Sequence, residues 1–282
     1  MGLPDSGTPR VAPPIVSRTF PRVEPVAKTA SWQSRGAGRV EYARRVLREI
    51  RRAAFSYGWT ALAATQAVAV QSVRPSQEGM ARHTRRWAEV LIRAWNIELV
   101  PSGMEHVPGD RICVVVANHQ SYLDVVALFA TMPVQPVFLA KRELESVPMF
   151  GRAMRVGGHV FVDRGKHDKA MEALERAAKE LKPGHPVAVF PEGTRAKEPA
   201  IRAFKKGAFH LAKSAGACIL PIGIHGSLEA WPRSQVTPSP ARVDVRVGPP
   251  IPAEDVRTME LEGLIARARG EVGRLAGLPL AE

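Results

Sequence analysis

A histidine and an aspartate five positions apart are the first residues in this sequence whose types and spacing could perform chemistry. His119 and Asp124 open and close the segment HQSYLD, which follows the apolar run of residues 111–117. If that run is a strand and a helix follows it, His119 lies in the turn and Asp124 in the first turn of the helix. The carboxylate can then accept a hydrogen bond from the imidazole Nδ1–H, which leaves Nε2 free to act as a general base. The spacing also allows a pair that only caps the helix, so both interpretations stay open at this point.

The sequence offers no obvious nucleophile for a covalent intermediate. It contains no G-x-S-x-G elbow, and Cys113 and Cys218 lie in apolar runs, where we expect small core residues of a reducing compartment. It has no H-E-x-x-H motif and no closely spaced Cys and His, so zinc is not expected, and it has neither of the common glycine-rich phosphate loops. A His/Asp base without its own nucleophile indicates that the nucleophile belongs to the substrate.

A second polar cluster follows the apolar run 186–190 and is rich in groups that bind anions. An arginine can hold a phosphate through two hydrogen bonds, and free N–H groups at the start of a helix add to this. A carboxylate inside the cluster could orient an arginine or receive a substrate hydroxyl. The whole cluster could instead be a solvated basic loop. Its residues are Glu192, Gly193, Thr194 and Arg195, followed by Arg202, Lys205 and Lys206.

Two further basic clusters follow predicted strands. They are Lys141-Arg142-Glu143 and Asp163-Arg164-Gly165-Lys166. In α/β sheets functional groups gather at the carboxyl ends of the strands. Several cations at strand ends near one His/Asp pair therefore predict a single pocket for an anionic substrate.

The elements that must position these groups alternate between strand and helix. Nearly continuous apolar strands separated by helices predict an α/β fold with a mostly parallel sheet flanked by helices. An alternating run at 242–247 predicts a late edge strand, and a final helix is predicted over 254–275. The clearest helix between strands is predicted over 167–181. The predicted strands cover residues 111–117, 136–140, 159–162, 186–190 and 218–224.

The N-terminal third differs in character from this α/β domain. Residues 1–38 hold six prolines and no apolar period, which predicts a disordered leader. Residues 39–54 combine an apolar stripe with arginines, as in a basic amphipathic helix. Residues 53–73 carry no charge but are weakly hydrophobic, so a shallow membrane-dipping helix is favoured over a full span or a packed helix. A helix over 78–95 is expected to pack on the domain.

These patterns divide the chain into three parts. We expect a leader over 1–38, basic amphipathic and membrane-associating helices over 39–95, and an α/β domain with the catalytic groups over 96–282.

The formal charge of +13 is concentrated at the N-terminal end. Residues 1–100 carry 16 Lys and Arg against 7 Asp and Glu, whereas residues 101–282 carry 24 against 20. A basic segment binds a polyanion, either nucleic acid or an anionic membrane surface. No recognisable nucleic-acid-binding motif is present and aromatic residues are only 6%, so no nucleic-acid partner is expected. The charge favours the cytoplasmic face of a membrane, with peripheral or shallowly inserted attachment.

Four motifs in a fixed order carry a family resemblance over roughly residues 80–250. They are Asn118-His119 with Asp124, then Phe161-Val162-Asp163-Arg164, then residues 190–195 with Phe204-Lys205-Lys206-Gly207, and last Ile219-Leu220-Pro221-Ile222. In these motifs the chain resembles the 1-acylglycerol-3-phosphate (lysophosphatidic acid) acyltransferases of the glycerolipid acyltransferase superfamily. It departs from their pattern at Ala196, where Ser is frequent, and at Gly223, where Ala is commoner.

The resemblance implies direct acyl transfer without a metal or tightly bound cofactor. His119, held by Asp124, would remove the proton from the free sn-2 hydroxyl of a lysophospholipid. That oxygen would attack the thioester of acyl-CoA or acyl carrier protein, giving phosphatidic acid. Alternatives are another lysolipid or glycerol 3-phosphate as acceptor, or a non-catalytic protein that binds anionic membranes. The substrate-binding residues that the resemblance suggests are Lys141, Arg164, Glu192, Gly193, Thr194 and Arg195.

Overall fold

The computed structural model describes residues 32–163, 174, 177–178 and 181–282, with the backbone alone at 32–40 and 45. Its contacts divide the chain into two units, Met1–Arg44 and Arg45–Glu282. The first unit is described only by helical residues 32–44. The sheet and the candidate site belong to the second unit.

A mostly parallel sheet of seven strands, counted over the described residues, confirms the predicted α/β class. Its order is β1-β7-β6-β2-β5-β3-β4, and every neighbouring pair is parallel except β6 and β7. The strands are β1 Ile97–Ser102, β2 Cys113–Ala117, β3 Val137–Lys141, β4 Val160–Val162, β5 Val187–Val189, β6 Cys218–His225 and β7 Ala241–Val247.

Helices flank this sheet in the part of the chain that is described. Short 3-10 helices also occur at Met104–His106 and Arg142–Ser146. The α-helices are α1 Trp32–Val73, α2 Gln77–Trp95, α3 Leu123–Thr131, α4 Phe150–Val156, α5 Gly207–Ala215, α6 Ser227–Ala230, α7 Ala253–Thr258 and α8 Leu261–Ala276.

The central strand β2 is buried on both faces, which is why its sequence is continuously apolar. Val115 and Ala117 belong to a core that includes α2 and α3, whereas Val114 and Val116 belong to a second core that includes α5 and α8. Side chains alternate across a strand, so a strand covered on both faces needs apolar residues at every position. The two cores hold β2 rigidly below the turn that carries His119.

The strand at 242–247 is not an edge strand, contrary to the sequence-based expectation. β7 lies between β6 and β1, and the edge is formed by β1, which pairs with β7 from Ile97 opposite Ala241 onward. The sequence of β1 (IELVPS) mixes polar residues with a proline, so it gives little strand signal. The alternation in β7 arises because Val243, Val245 and Val247 are buried while the intervening side chains form ion pairs on the other face.

Three helix predictions also need correction or completion. α1 begins at Trp32, inside the predicted leader, and it continues without a break through the two segments expected at 39–54 and 53–73. The predicted final helix over 254–275 is two helices, α7 and α8, separated at Met259–Glu260. Of the helix predicted over 167–181, residues 174, 177 and 178 are helical, and the rest lies outside the described residues except Leu181. Residues 1–31 of the predicted leader are outside them as well.

The uncharged half of α1 packs on α2. The Trp59 indole donates a hydrogen bond to the Trp87 carbonyl at 3.2 Å, and the Trp95 indole donates to Ser56 Oγ at 2.9 Å. α2 in turn buries Leu91 and Trp95 in the domain core, as its pattern predicts. Among the described residues, no helix is both long and apolar enough to cross a membrane.

Candidate active site

The predicted hydrogen bond between the histidine and the aspartate is present at the carboxyl end of β2. His119 Nδ1 lies 2.8 Å from Asp124 Oδ2, and the same oxygen accepts the backbone N–H groups of Gln120 and Ser121 at 2.8 and 2.9 Å. The Asp124 side chain is fully buried, and that of His119 is 15% exposed. Asp124 also lies in the first turn of α3, where a negative charge is favoured by the helix dipole. One carboxylate oxygen therefore fixes both the imidazole and the turn that carries it.

The other ring nitrogen of His119 is available for chemistry. Among the described residues none is hydrogen-bonded to Nε2, and the ring stacks on Phe190 with centroids 4.1 Å apart and planes 16° apart. Phe190 continues β5 and stacks in turn on Phe138 of β3, at 5.8 Å. A positively charged imidazolium is attracted to the face of an aromatic ring. The stack thus fixes the ring plane and favours the charge that a general base gains.

Two polar side chains fasten the turn to its neighbours. The Asn118 side chain donates to the Ile224 carbonyl and accepts the Ile224 N–H, both at 2.8 Å. The Ser121 hydroxyl donates to the Trp231 carbonyl at 2.9 Å. Asn118 and Ser121 are both fully buried. Buried polar groups that are all paired hold one geometry, so the His119 turn is preorganised by β6 and by the loop after α6.

Glu192 holds the main chain of His119. One of its carboxylate oxygens accepts the His119 N–H at 2.7 Å and the other accepts the Arg202 N–H at 3.2 Å. The Ala196 N–H donates to the His119 carbonyl at 2.7 Å, so the turn 190–196 holds His119 on both sides. Sequence reasoning placed Glu192 beside Arg195 or a substrate hydroxyl, but its oxygens are bonded to backbone amides. Burial raises the pKa of Glu192 to about 7, against the opposing effect of these two N–H groups.

Arg195 lies on the open side of the same turn. Its guanidinium stacks 3.7 Å above the ring of Tyr122, whose side chain is largely exposed. Thr194 is exposed and its hydroxyl accepts a hydrogen bond from Arg233 Nη2 at 3.3 Å. The same Arg233 nitrogen donates to the Arg195 carbonyl. Two guanidinium groups therefore lie beside this turn, and sequence reasoning had not singled out Arg233.

Lys205 belongs to the predicted anion-binding cluster, although it is not among the substrate-binding residues that the resemblance suggests. Its backbone N–H donates to the Pro191 carbonyl at 2.8 Å, and its Nζ lies 2.9 Å from where a Cβ on Gly193 would be. Gly193 has φ +74°, so a side chain there would be strained as well as blocked. Lys206 instead forms an ion pair with Glu262 at 2.6 Å. The Lys-Lys pair was visible in the sequence, but only the structure shows which lysine covers the turn.

The remaining predicted site residues lie elsewhere or are not described. Lys141 ends β3, two strands from β2, and forms an exposed ion pair with Glu143 at 2.7 Å. Arg164 lies outside the described residues, directly after Asp163. The structure brings together His119 and Asp124 with the turn of Glu192, Gly193, Thr194 and Arg195.

No three His, Cys, Asp or Glu side chains lie together as a metal site in the described part of the chain. The acid and base groups of the site are a single imidazole with two carboxylates, one of which is bonded to the imidazole and the other to the main chain. Such a site can move a proton and bind an anion. No described residue that contacts His119 offers a side-chain nucleophile.

Comparison with known proteins defines the class of this arrangement. A family model described as Acyltransferase matches residues 98–225, which run from β1 to the end of β6 and include every motif of the site. The crystal structure of the 1-acyl-sn-glycerophosphate (LPA) acyltransferase from Thermotoga maritima has the same fold, with a TM-score of 0.66 at 23% sequence identity. That similarity covers 81% of this chain and 97% of the other. The candidate site lies inside the region that matches the Acyltransferase model, and the fold is the one seen in the Thermotoga maritima enzyme.

Sequence relatives show which family of acyltransferases the chain belongs to. The chain is 32% identical over 217 residues to the 1-acyl-sn-glycerol-3-phosphate acyltransferase alpha of Bos taurus, which is 77% of this chain and 76% of the relative. The enzyme of the same name from Homo sapiens is also 32% identical, over 77% of each chain. The protein belongs to the family of 1-acyl-sn-glycerol-3-phosphate acyltransferases.

Proposed function

We propose that this protein transfers an acyl group from a thioester to the sn-2 hydroxyl of 1-acylglycerol 3-phosphate, with His119 as the general base. The observation that carries this proposal is the His119–Asp124 hydrogen bond, which engages Nδ1 and leaves Nε2 without a hydrogen-bond partner among the described residues. His119 Nε2 takes the proton of the acceptor hydroxyl as its oxygen attacks the thioester carbonyl. The C–S bond then breaks, and the leaving thiolate takes the proton from His119.

The acyl donor supplies the energy of this reaction, so no cofactor enters the proposal. The donor is acyl-CoA or an acylated acyl carrier protein, and both present the same thioester to the site. Arg195, with Lys205 and Arg233 beside the same turn, supplies positive charge for the phosphate of the acceptor, and Thr194 supplies a hydroxyl. On the strength of the resemblance, Arg164 remains a candidate for the same phosphate, and Lys141 for that phosphate or for the thioester oxygen.

The base is tested by replacing His119 with alanine in the purified protein. We expect kcat for transfer from labelled acyl-CoA to fall by about 10²–10⁴-fold, the usual contribution of a general base. His210→Ala is the matched control, because His210 is an exposed histidine on α5 and outside the site. A His119→Ala protein with a near-wild-type rate would contradict the mechanism, and loss of activity in both variants would indicate misfolding.

The acceptor is tested with a panel of lipids and one labelled acyl donor. We expect 1-acylglycerol 3-phosphate to give a higher kcat/KM than glycerol 3-phosphate or a lysolipid with an aminoalcohol headgroup. Arg195→Ala should raise KM for the phosphate-bearing acceptor. If Arg195→Ala leaves that KM unchanged, or if a phosphate-free lysolipid is preferred, the acceptor assignment is wrong while the acyl transfer itself stands.

We also propose that α1 attaches the protein to the anionic surface of a membrane. From residue 46 onward α1 exposes the apolar side chains of Leu47, Ile50 and Phe55 next to the exposed Arg48 and Arg51. A helix with apolar and cationic side chains exposed side by side binds at a lipid interface, where each cation contributes about 1 kcal/mol near an anionic surface. This placement gives the enzyme access to a lipid acceptor at the cytoplasmic face.

Vesicle sedimentation tests this attachment. We expect wild-type protein to sediment with phosphatidylglycerol vesicles more than with phosphatidylcholine vesicles, and less at high salt. The double variant Leu47→Ser, Ile50→Ser should lose sedimentation, while Leu280→Ser, at an exposed leucine that pairs with Ile201 near the C-terminal end, should keep it. Binding to DNA without binding to anionic vesicles would overturn the assignment of the basic helix.

A further inference from the structure

The two cysteines of the protein lie in contact, although 105 residues separate them in the sequence. The Cys113 and Cys218 sulfur atoms are 2.6 Å apart. Cys113 is the first residue of β2 and Cys218 the first residue of β6, and the two residues are directly paired in the parallel ladder. Both thiols are free and buried. The sequence predicted two isolated core residues, and the strand order makes them one dithiol.

This dithiol lies at the amino ends of the two strands, at the opposite end of β2 from His119. A surface cleft at this end of the sheet is lined by Cys218 together with Asp110, Arg111 and Gly216, and Cys218 itself is 2% exposed. Contact with Cys113 lowers the pKa of the Cys218 thiol, and the nearby charge of Arg111 acts in the same direction. The thiolate is the reactive form of cysteine, so Cys218 is the attacking residue of the pair.

We propose that Cys113 and Cys218 form an oxidation site, in which hydrogen peroxide converts the two thiols into an intrachain disulfide. The Cys218 sulfur attacks one peroxide oxygen, the O–O bond breaks, and water leaves, so that a sulfenic acid remains on Cys218. The Cys113 sulfur then attacks the Cys218 sulfur, the S–O bond breaks, and a second water leaves. Both sulfurs are oxidised, the peroxide is reduced, and the two thiol protons leave in the water formed.

The disulfide joins β2 to β6, the two strands that the Asn118 side chain joins at their carboxyl ends. Closing a loop of 105 residues restricts the unfolded chain, which stabilises the folded state when the native geometry already fits the bond. Paired residues of neighbouring strands lie within the Cα separation that a disulfide allows. The oxidised protein is therefore more resistant to heat, and its active site, at the other end of the strands, keeps its geometry.

Mass spectrometry of the intact protein tests the proposal without any activity assay. Purified protein is treated with hydrogen peroxide, denatured and alkylated with iodoacetamide. We expect a monomer that has lost two hydrogen atoms and takes up no alkyl group, and that takes up two after treatment with dithiothreitol. Two alkylated thiols, added oxygen atoms on either cysteine or a cross-linked dimer would each overturn the proposal, whereas oxygen added to methionine would not bear on it. Since thiol chemistry is read directly, failure here leaves the proposed acyl transfer untouched.

Thermal melting tests whether the disulfide makes the protein more resistant to heat. The oxidised wild-type protein should melt at a higher temperature than the reduced protein, and the melting temperature of Cys113→Ser should not rise with peroxide. Cys218→Ser serves as a second variant if Cys113→Ser folds poorly. Oxidised protein that melts at the same or a lower temperature would overturn the stabilising role, and loss of acyl transfer on oxidation would show that the disulfide does change the active-site geometry.

Discussion

The ends of β2 and β3 look alike in the sequence but differ in the structure. Each strand is apolar and each is followed by charged or titratable residues. At the end of β2, Asp124 and Glu192 are buried and bonded to several backbone amides. At the end of β3, Lys141 and Glu143 form an ion pair with each other while both stay more than half exposed.

The buried groups at the end of β2 can hold the geometry of the reaction, whereas the exposed groups at the end of β3 can contribute only to binding. A buried carboxylate interacts strongly with its partners, since water does not screen it, and its hydrogen bonds hold one geometry. An exposed ion pair is screened and is worth little. Substitutions near β2 should therefore lower kcat, whereas substitutions of exposed cations should act on KM.

The largest effect is expected from Asp124→Asn. The amide oxygen can take the place of Oδ2 and keep its three donors, so the substitution removes the charge that stabilises the imidazolium and buries an unpaired NH2 group. We expect kcat to fall by about 10²–10⁴-fold, as for other histidine bases that lose their carboxylate. Asp255→Asn is the control, since Asp255 is in the first turn of α7 but half-exposed and paired with Arg267. Similar losses in both variants would count against a specific role.

A smaller loss of kcat, about 10–100-fold, is expected from Glu192→Gln. Glutamine can accept only one of the two N–H groups, so either His119 or Arg202 loses its main-chain partner. KM for the acceptor should change little, because Glu192 acts through the position of His119. A rise in KM with kcat unchanged would show instead that Glu192 contacts the substrate.

Glu192 also gives a pH test of the folded state. Its pKa rises from an ordinary 4.5 to about 7, so the folded protein keeps this proton to a higher pH than the unfolded chain does. The resulting stabilisation is complete below about 4.5 and is lost as the pH rises through 7. Urea unfolding should thus show that wild-type stability, relative to Glu192→Gln, decreases between pH 5 and pH 8. If the difference in stability between the two proteins stays constant or increases over this range, the pKa of Glu192 in the folded protein is not raised to about 7.

Lys205→Ala should have a moderate effect on binding. Lys205 covers Gly193, and no described carboxylate pairs with it, whereas Lys206 is paired with Glu262. We expect KM for the phosphate-bearing acceptor to rise by about 5–10-fold in Lys205→Ala, the loss of one partly exposed charge-assisted contact. Lys206→Ala removes the same charge and should stay near wild type. Equal effects would mean that only net charge matters at this helix.

The smallest effect is expected from Lys141→Ala. An exposed ion pair contributes roughly 1 kcal/mol or less, so kcat/KM should change by no more than about 5-fold and the change should vanish at high salt. A loss of kcat comparable to that in Asp124→Asn would show that Lys141 reaches the reacting atoms and would remove the contrast between the two strand ends.

Much of the architecture was predictable because short-range patterns carry it. Five of the seven strands were predicted from continuous apolar runs and a sixth, β7, from its alternation, since burial on two faces or on one leaves those signatures. β1 was missed because its residues give no such signal and its position at the edge depends on pairing with β7. The break between α7 and α8 was missed for a different reason. Apolar residues continue across it, so the pattern is the same as that of one uninterrupted helix.

The sequence by itself determined the His119–Asp124 pair, because a spacing of five across a strand–helix turn brings the two side chains together locally. It also determined that a cluster of basic residues follows β5. Only the tertiary structure decided that Glu192 holds the His119 main chain, that Lys205 and not Lys206 covers Gly193, and that Cys113 touches Cys218. These contacts join residues distant in the chain, and strand order and helix rotation, which are set by packing of the whole core, decide which of them meet.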